Sequence, residues 1–241
     1  MRFIIIMILL VVGQITLAQT AMNKSFTVQA GQTLDFYFDH PKLIKVTTWD
    51  RNEVMVTGNV SINNGENDDA FTVTSSTGSG VMNIRGEMVN LKNLPHRITV
   101  YRAGQKLTFK NNEEFRKYTA SAGRDFDMMS NGVDIEITLE IKIPKGMITN
   151  FKSVYGMVEV RNFEGPIDVT ATYGGVDASL NSKTTGELYA ETNYGTIYSN
   201  LDVKFAGEEK NFHTFVTAKP GSGPRQSFES KYGNVYLRKP L

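Results

Sequence analysis

The sequence predicts an all-β protein: a solenoid of stacked β-rungs, of the single-stranded β-helix type, preceded by an irregular β-rich half. Three observations carry that prediction. Tyr-Gly-x-(Val/Ile) occurs four times in the last third of the chain, at Tyr155, Tyr173, Tyr194 and Tyr232. These positions are 18, 21 and 38 residues apart, the last close to two further periods with one copy overwritten by an insertion. Self-similarity at a fixed period of this size marks a stacked repeat. Apolar residues in the first half recur two apart, the period of a half-buried strand, and no long helical period competes with them.

Residues 1–18 read as a secretory signal. Arg2 gives a positive start, Phe3 to Val12 is an unbroken apolar run, and Thr16-Leu17-Ala18 places small residues for cleavage before Gln19. That run is too short to span a bilayer, and no later stretch is long enough. Export is expected, to the periplasm rather than the cell surface or medium, because the last rung ends the chain without a sorting domain. With no cysteine, an exported chain takes its stability from burial and backbone pairing. Its 26 basic and 25 acidic residues balance once Arg2 is removed, so neither nucleic acid nor anionic lipid is an expected partner.

Residues 19–241 are expected to form one β-helix-type domain. Over 22–140 the strand signals are short: Phe26-Val28, Leu34-Phe36-Phe38, Ile44-Val46, Val54-Val56, Phe71-Val73 and Ile98-Val100. Residues 103–132 are polar and mixed, and read as a long loop or lid despite a short helix-compatible stretch at 112–118. The strand Val133–Ile143 alternates cleanly and stops at Pro144, which has no N–H to give a ladder. It is expected to cover the start of the stack, with Pro240 blunting the final edge. From 141 to 241 each period holds one strand after Tyr-Gly and one after a second glycine. The period-2 phase puts Val158/Val160, Val176/Ala178, Ile197/Ser199 and Val235/Leu237 inside. Residues 202–227 interrupt the pattern as a projecting hairpin or loop.

The strand end Ile141-Lys142-Ile143-Pro144-Lys145-Gly146, followed by rungs of the forms Tyr-Gly-x-Val-x-Val and Gly-x-Ile-x-Val, resembles an adhesin-named domain family of bacterial surface and periplasmic proteins. That family is common in Bacteroidetes and of unknown function. The chain is also similar to adhesin head domains built on a single-stranded right-handed β-helix. The resemblance covers 141–241 best. It implies an adhesin-like binding or structural module and brings no catalytic residues with it.

The chemistry-bearing residues are sparse. There is no cysteine and no Gly-x-Ser-x-Gly elbow, and His40, His96 and His213 stand alone, as solvated or turn histidines do. No cofactor is expected. Glu159 and Asp177 face outward at equivalent positions of neighbouring rungs. They either splay into water or are bridged by a divalent cation, which makes them the candidate metal ligands. With Asp168 they are also the carboxylates a small polysaccharide-active enzyme would use. Tyr189, Tyr198 and Tyr236 point outward, either as a ladder of stacked aromatics or as a face for a glycan or an envelope protein. The acidic loop 63–69 matches no calcium motif and reads as a solvated turn. The expectation is a non-enzymatic, exported envelope protein, with a glycan-active enzyme or a signalling and docking component as alternatives.

Overall fold

The computed structural model describes residues 20–240, so the expected signal segment 1–18 and the expected cleavage point before Gln19 lie outside the described residues. Among the described residues, twenty strands and one α-helix follow in order. They are β1 (Thr20–Thr27), β2 (Thr33–Phe38), β3 (Leu43–Trp49), β4 (Glu53–Ile62), β5 (Phe71–Gly78), β6 (Val81–Met88), β7 (Arg97–Arg102) and β8 (Gln105–Phe109). Then come α1 (Asn112–Ala122), β9 (Met128–Gly132), β10 (Ile135–Pro144), β11 (Ile148–Ser153), β12 (Met157–Arg161), β13 (Ile167–Ala171) and β14 (Val176–Ser179). The chain ends with β15 (Leu188–Thr192), β16 (Ile197–Ser199), β17 (Ala206–Lys210), β18 (His213–Ala218), β19 (Gln226–Ser230) and β20 (Val235–Arg238).

Two large sheets enclose one apolar core. The first has the order β1-β4-β10-β3-β12-β14-β20-β16, and the second β17-β18-β15-β19-β13-β11-β2-β6-β5. Alternation along each strand sends one side-chain row inward. Ile44, Val158, Val176 and Val235 line up across the first sheet, and Phe36, Phe151, Val169 and Phe228 across the second, all buried. Parallel pairing in register is what a repeated rung produces, and the architecture is β-rich and solenoid-like.

A rung consists of a second-sheet strand, a corner and a first-sheet strand: β11–β12, β13–β14, β15–β16 and β19–β20. The pattern also reaches back into the N-terminal half. β2 and β3 form a further rung, paired in parallel with β11 and β12, whose corner is Asp39-His40-Pro41 in place of Tyr-Gly. At that end the stack continues into β6 and β5 on one sheet and β10, β4 and β1 on the other, partly by antiparallel pairing.

Rung order in space differs from rung order in the chain. β19 lies between β13 and β15, and β20 between β14 and β16. The last rung therefore fills a slot between the second and third Tyr-Gly rungs. Pro240 consequently blunts no edge, because β20 is an interior strand and β16 is the terminal one. The strand beginning near Val133 does not cover the first Tyr-Gly rung either; β3 stands between β10 and β12.

Two expectations about loops are corrected. Residues 103–132 hold β8, α1 and β9, and β8 and β9 flank β7 in a three-stranded antiparallel sheet. Asn111 caps α1 by accepting from the N–H groups of Glu113 and Glu114, each at 3.0 Å. In place of a long apolar stripe, the helix packs by Phe115 and Tyr118 against Phe109 and Phe126. The predicted insertion does form a hairpin, β17–β18, but β18 pairs antiparallel with β15 and prolongs the second sheet. Its predicted end overlaps β19, because Gln226 and Ser227 are the first residues of the last rung.

Candidate functional site

The most organised surface is the edge formed by the Tyr-Gly corners. Glycine is required there by close approach. A Cβ on Gly174 would lie 1.5 Å from the Gly156 carbonyl oxygen, one on Gly233 2.3 Å from that of Gly174, and one on Gly195 2.0 Å from that of Gly233. Hydroxyls inside the corner tie it down. The Ser230 hydroxyl donates to the Gly174 carbonyl at 2.7 Å and accepts from the Gly233 N–H at 2.8 Å. Thr192 makes the equivalent pair of bonds with Gly233 and Gly195.

With its glycine packed inward, each corner turns its tyrosine out, and the rung spacing of about 4.8 Å brings successive rings into contact. Ring centroids are 5.2 Å apart for Tyr155–Tyr173, 5.2 Å for Tyr173–Tyr232 and 5.1 Å for Tyr194–Tyr232, all nearly parallel. His40 continues the column at one end, 5.6 Å from Tyr155, and Phe212 of the hairpin turn at the other, 5.5 Å from Tyr194. The four tyrosines are 45–58 % exposed and Phe212 is 72 % exposed.

The three tyrosines singled out from sequence do not share one face. Tyr198 and Tyr236 stack at 5.2 Å on the outer face of the first sheet, where the Arg238 guanidinium lies 4.9 Å from the Tyr236 ring centre. Tyr189 is on the second sheet. Its hydroxyl donates to Glu191, and its pKa is pushed up to about 12, first by burial and then by that bond.

Glu159 and Asp177 are register neighbours on β12 and β14. Two arginines meet their charge. Arg161 lies 3.0 Å from each carboxylate, and Arg238 Nε contacts both Asp177 oxygens at 2.9 and 3.0 Å. Asp168 belongs to the other sheet, 3.8 Å from Arg225, so the three carboxylates are not gathered around one point. Among the described residues no cluster of three or more His, Asp or Glu side chains could hold a metal ion.

The histidines and the acidic loop also take specific places. His40 occupies a rung corner, where burial lowers its pKa and leaves Nδ1 without a hydrogen-bond partner. His213 Nε2 lies 2.9 Å from a Glu191 oxygen. The loop 63–69 is no solvated turn: Asn63 and Asp68 are buried, and Asp68 accepts the Ile62 N–H at 2.6 Å. Two edge residues escaped the sequence reading. Phe212 sits in a hairpin turn outside the repeat. His40 carried a signal, because Phe36-x-Phe38-x-His40 has the strand-to-corner spacing of Phe151-x-Ser153-x-Tyr155.

No protein-family model and no curated protein sequence matches the chain. Among solved structures it is similar to one described as a "putative cell adhesion protein" from Clostridium sporogenes ATCC 15579. The TM-score is 0.51 at 8 % identity, over 92 % of this chain and 100 % of that one. That likeness shows a shared β-rich fold. A "putative adhesin" from Bacteroides fragilis NCTC 9343 aligns over 92 % of this chain and 98 % of that one, at 12 % identity and a TM-score of 0.27, too low to carry an argument. Among the described residues no helix is long and apolar enough to cross a membrane.

Proposed function

We propose that the chain is an exported, non-catalytic, adhesin-like module of the cell envelope, acting in the periplasm, and that the Tyr-Gly edge is its recognition surface. The rungs are turns of a short single-stranded β-helix, and this scaffold presents the edge. The observation that carries the reading is the exposed, uninterrupted ring column from Tyr155 through Tyr173, Tyr232 and Tyr194 to Phe212, which half-buried His40 continues at one end. Contiguous exposed aromatic surface of this kind is characteristic of interaction sites. Because neighbouring rings cover one another's faces, what reaches solvent is ring edges and hydroxyls. Sugar stacking needs a free face, so the column favours an envelope protein lying along the stack.

The test is capture of an envelope protein by the mature chain, with Tyr173→Ser/Tyr232→Ser and Tyr198→Ser/Tyr236→Ser compared in parallel. The edge pair is expected to lose capture while retaining the melting behaviour of a folded chain. Equal capture by both double variants and the parent would remove the edge from recognition. Fractionation with N-terminal sequencing checks the compartment, with Gln19 expected first in the periplasmic fraction.

A further inference from the structure

The hairpin and the β15 rung together border an open cleft of about 450 Å³ on the outer side of the second sheet, away from the Tyr-Gly edge. Tyr189 and Thr217 line it with Glu187, and three cations border it: Lys204 before β17, Lys219 after β18 and Arg225 before β19. Arg225 is held near Asp168 at 3.8 Å. Among the described residues Lys204 and Lys219 have no carboxylate within ion-pairing distance. Within the lining the three cations stand against one carboxylate, Glu187, and the two unpaired ammonium groups are open to an anionic ligand.

Further acids lie close by. Glu191 takes the Tyr189 hydroxyl, and Glu229 lies close enough to act on the same phenol. The cleft thus combines free ammonium groups, an aromatic ring backed by Phe215 at 6.3 Å, and carboxylates that only accept hydrogen bonds. A simple anion would use the cations alone, and a neutral sugar only the platform and acceptors. A ring bearing both hydroxyls and a carboxylate uses all of them, and the volume lies in the ligand-site range of roughly 300–1,000 Å³.

We propose that this cleft binds an acidic saccharide. A hexuronate unit places its carboxylate against Lys204 and Lys219, its ring by Tyr189 and its hydroxyls toward Glu187. The inference goes beyond the edge reading and uses a separate surface. It also gives the 202–227 insertion a role, since that segment supplies every cation of the cleft.

Calorimetric titration of the mature chain with a tetrasaccharide of galacturonic acid tests it, against the methyl-esterified tetrasaccharide and tetraglutamate. Saturable binding of the acid form is expected, weakening with salt. It should fall by about tenfold or more on esterification, and equally for Lys204→Glu/Lys219→Glu with its thermal melt preserved. Equal binding of the ester, binding of tetraglutamate as tight as the saccharide, or unchanged affinity in the charge-reversed variant would each overturn the proposal. So would no binding of the acid form. Tyr173→Ser/Tyr232→Ser should bind the acid form normally, so failure here and failure of the edge reading are told apart.

Discussion

Tyr232 stacks on Tyr173 at 5.2 Å with the rings 6° from parallel, although Tyr194 comes between them in the chain. Tyr194 is displaced to the far side of Tyr232 and meets Phe212 instead. Two other columns repeat this order. Val235 pairs with Val176 on one side and Ile197 on the other, and a Cβ on Gly233 would strike Gly174 while one on Gly195 would strike Gly233.

The glycine column makes the corners intolerant of any side chain. Gly174→Ala places its methyl 1.5 Å from a backbone oxygen of the adjoining rung, where no flexible side chain can yield. We expect a loss of roughly 3 kcal/mol or more in urea unfolding. Gly31→Ala has open space and carries only the strain of φ +81°, about 1–2 kcal/mol. Similar losses in the two variants would dismiss rung contact as the reason for glycine.

Neighbouring residues of β14 should respond for different reasons. Val176→Asp buries a carboxylate in the apolar core, and unfolding should be easier by roughly 3 kcal/mol or more. From sequence, Asp177→Val removes repulsion from Glu159 and is neutral or slightly stabilising. The observed pairing reverses that sign, since the change leaves Arg161 and Arg238 without their shared carboxylate. A loss of about 1 kcal/mol is expected in denaturant melts, and a gain would show that repulsion dominates after all.

The Tyr189 phenol should couple stability to pH on the alkaline side. Its pKa is raised from 10.0 to about 12, so between those values the folded chain keeps a proton that the unfolded chain has released. Its stabilising contribution is complete below pH 10 and is lost as pH rises toward 12. Stability measured from pH 9 upward should therefore fall less steeply in Tyr189→Phe than in the parent. Parallel curves would place the phenol in an ordinary environment.

Glu229 shifts upward as well, through burial first and then the charges of Glu191 and Asp168. A carboxyl raised in the fold stabilises below its unfolded pKa and loses that contribution as pH rises through the folded one. Because the fold disfavours its ionised form, Glu229→Gln should melt higher than the parent at neutral pH. The margin should close as pH falls to about 4. An equal margin at both pH values would assign the gain to packing.

Much of the inward and outward phase was legible, because alternation around Tyr-Gly fixes which residue of each strand faces the core. Val158, Val176 and Val235 are buried as that phase requires, whereas on the terminal strand β16 Ile197 is half-buried and Ser199, expected inside, is exposed. Rung order was not legible. All four Tyr-Gly rungs offer similar apolar rows and identical backbone edges, so local sequence does not say which will adjoin which. Arg161 and Arg238 could have been found as partners for the stacked acids, since each lies two residues beyond an outward position of the same face. Tyr189 parted from Tyr198 and Tyr236 because an outward residue before a corner and one after it belong to opposite sheets.

The placement of β19–β20 sets a condition on how the chain folds. In an ordinary solenoid, rungs can be laid down in order as the polypeptide emerges, and loss of the last one leaves the remainder whole. Here β15 and β16 have no rung to join until β19 and β20 are available, because those two strands are their link to β13 and β14. The third Tyr-Gly rung and its hairpin must wait, unpaired with the stack, for the end of the chain. Removing residues 226–241 would accordingly split the stack rather than shorten it, and renaturation should show a late step that vanishes, together with the β15–β18 segment, from the truncated chain.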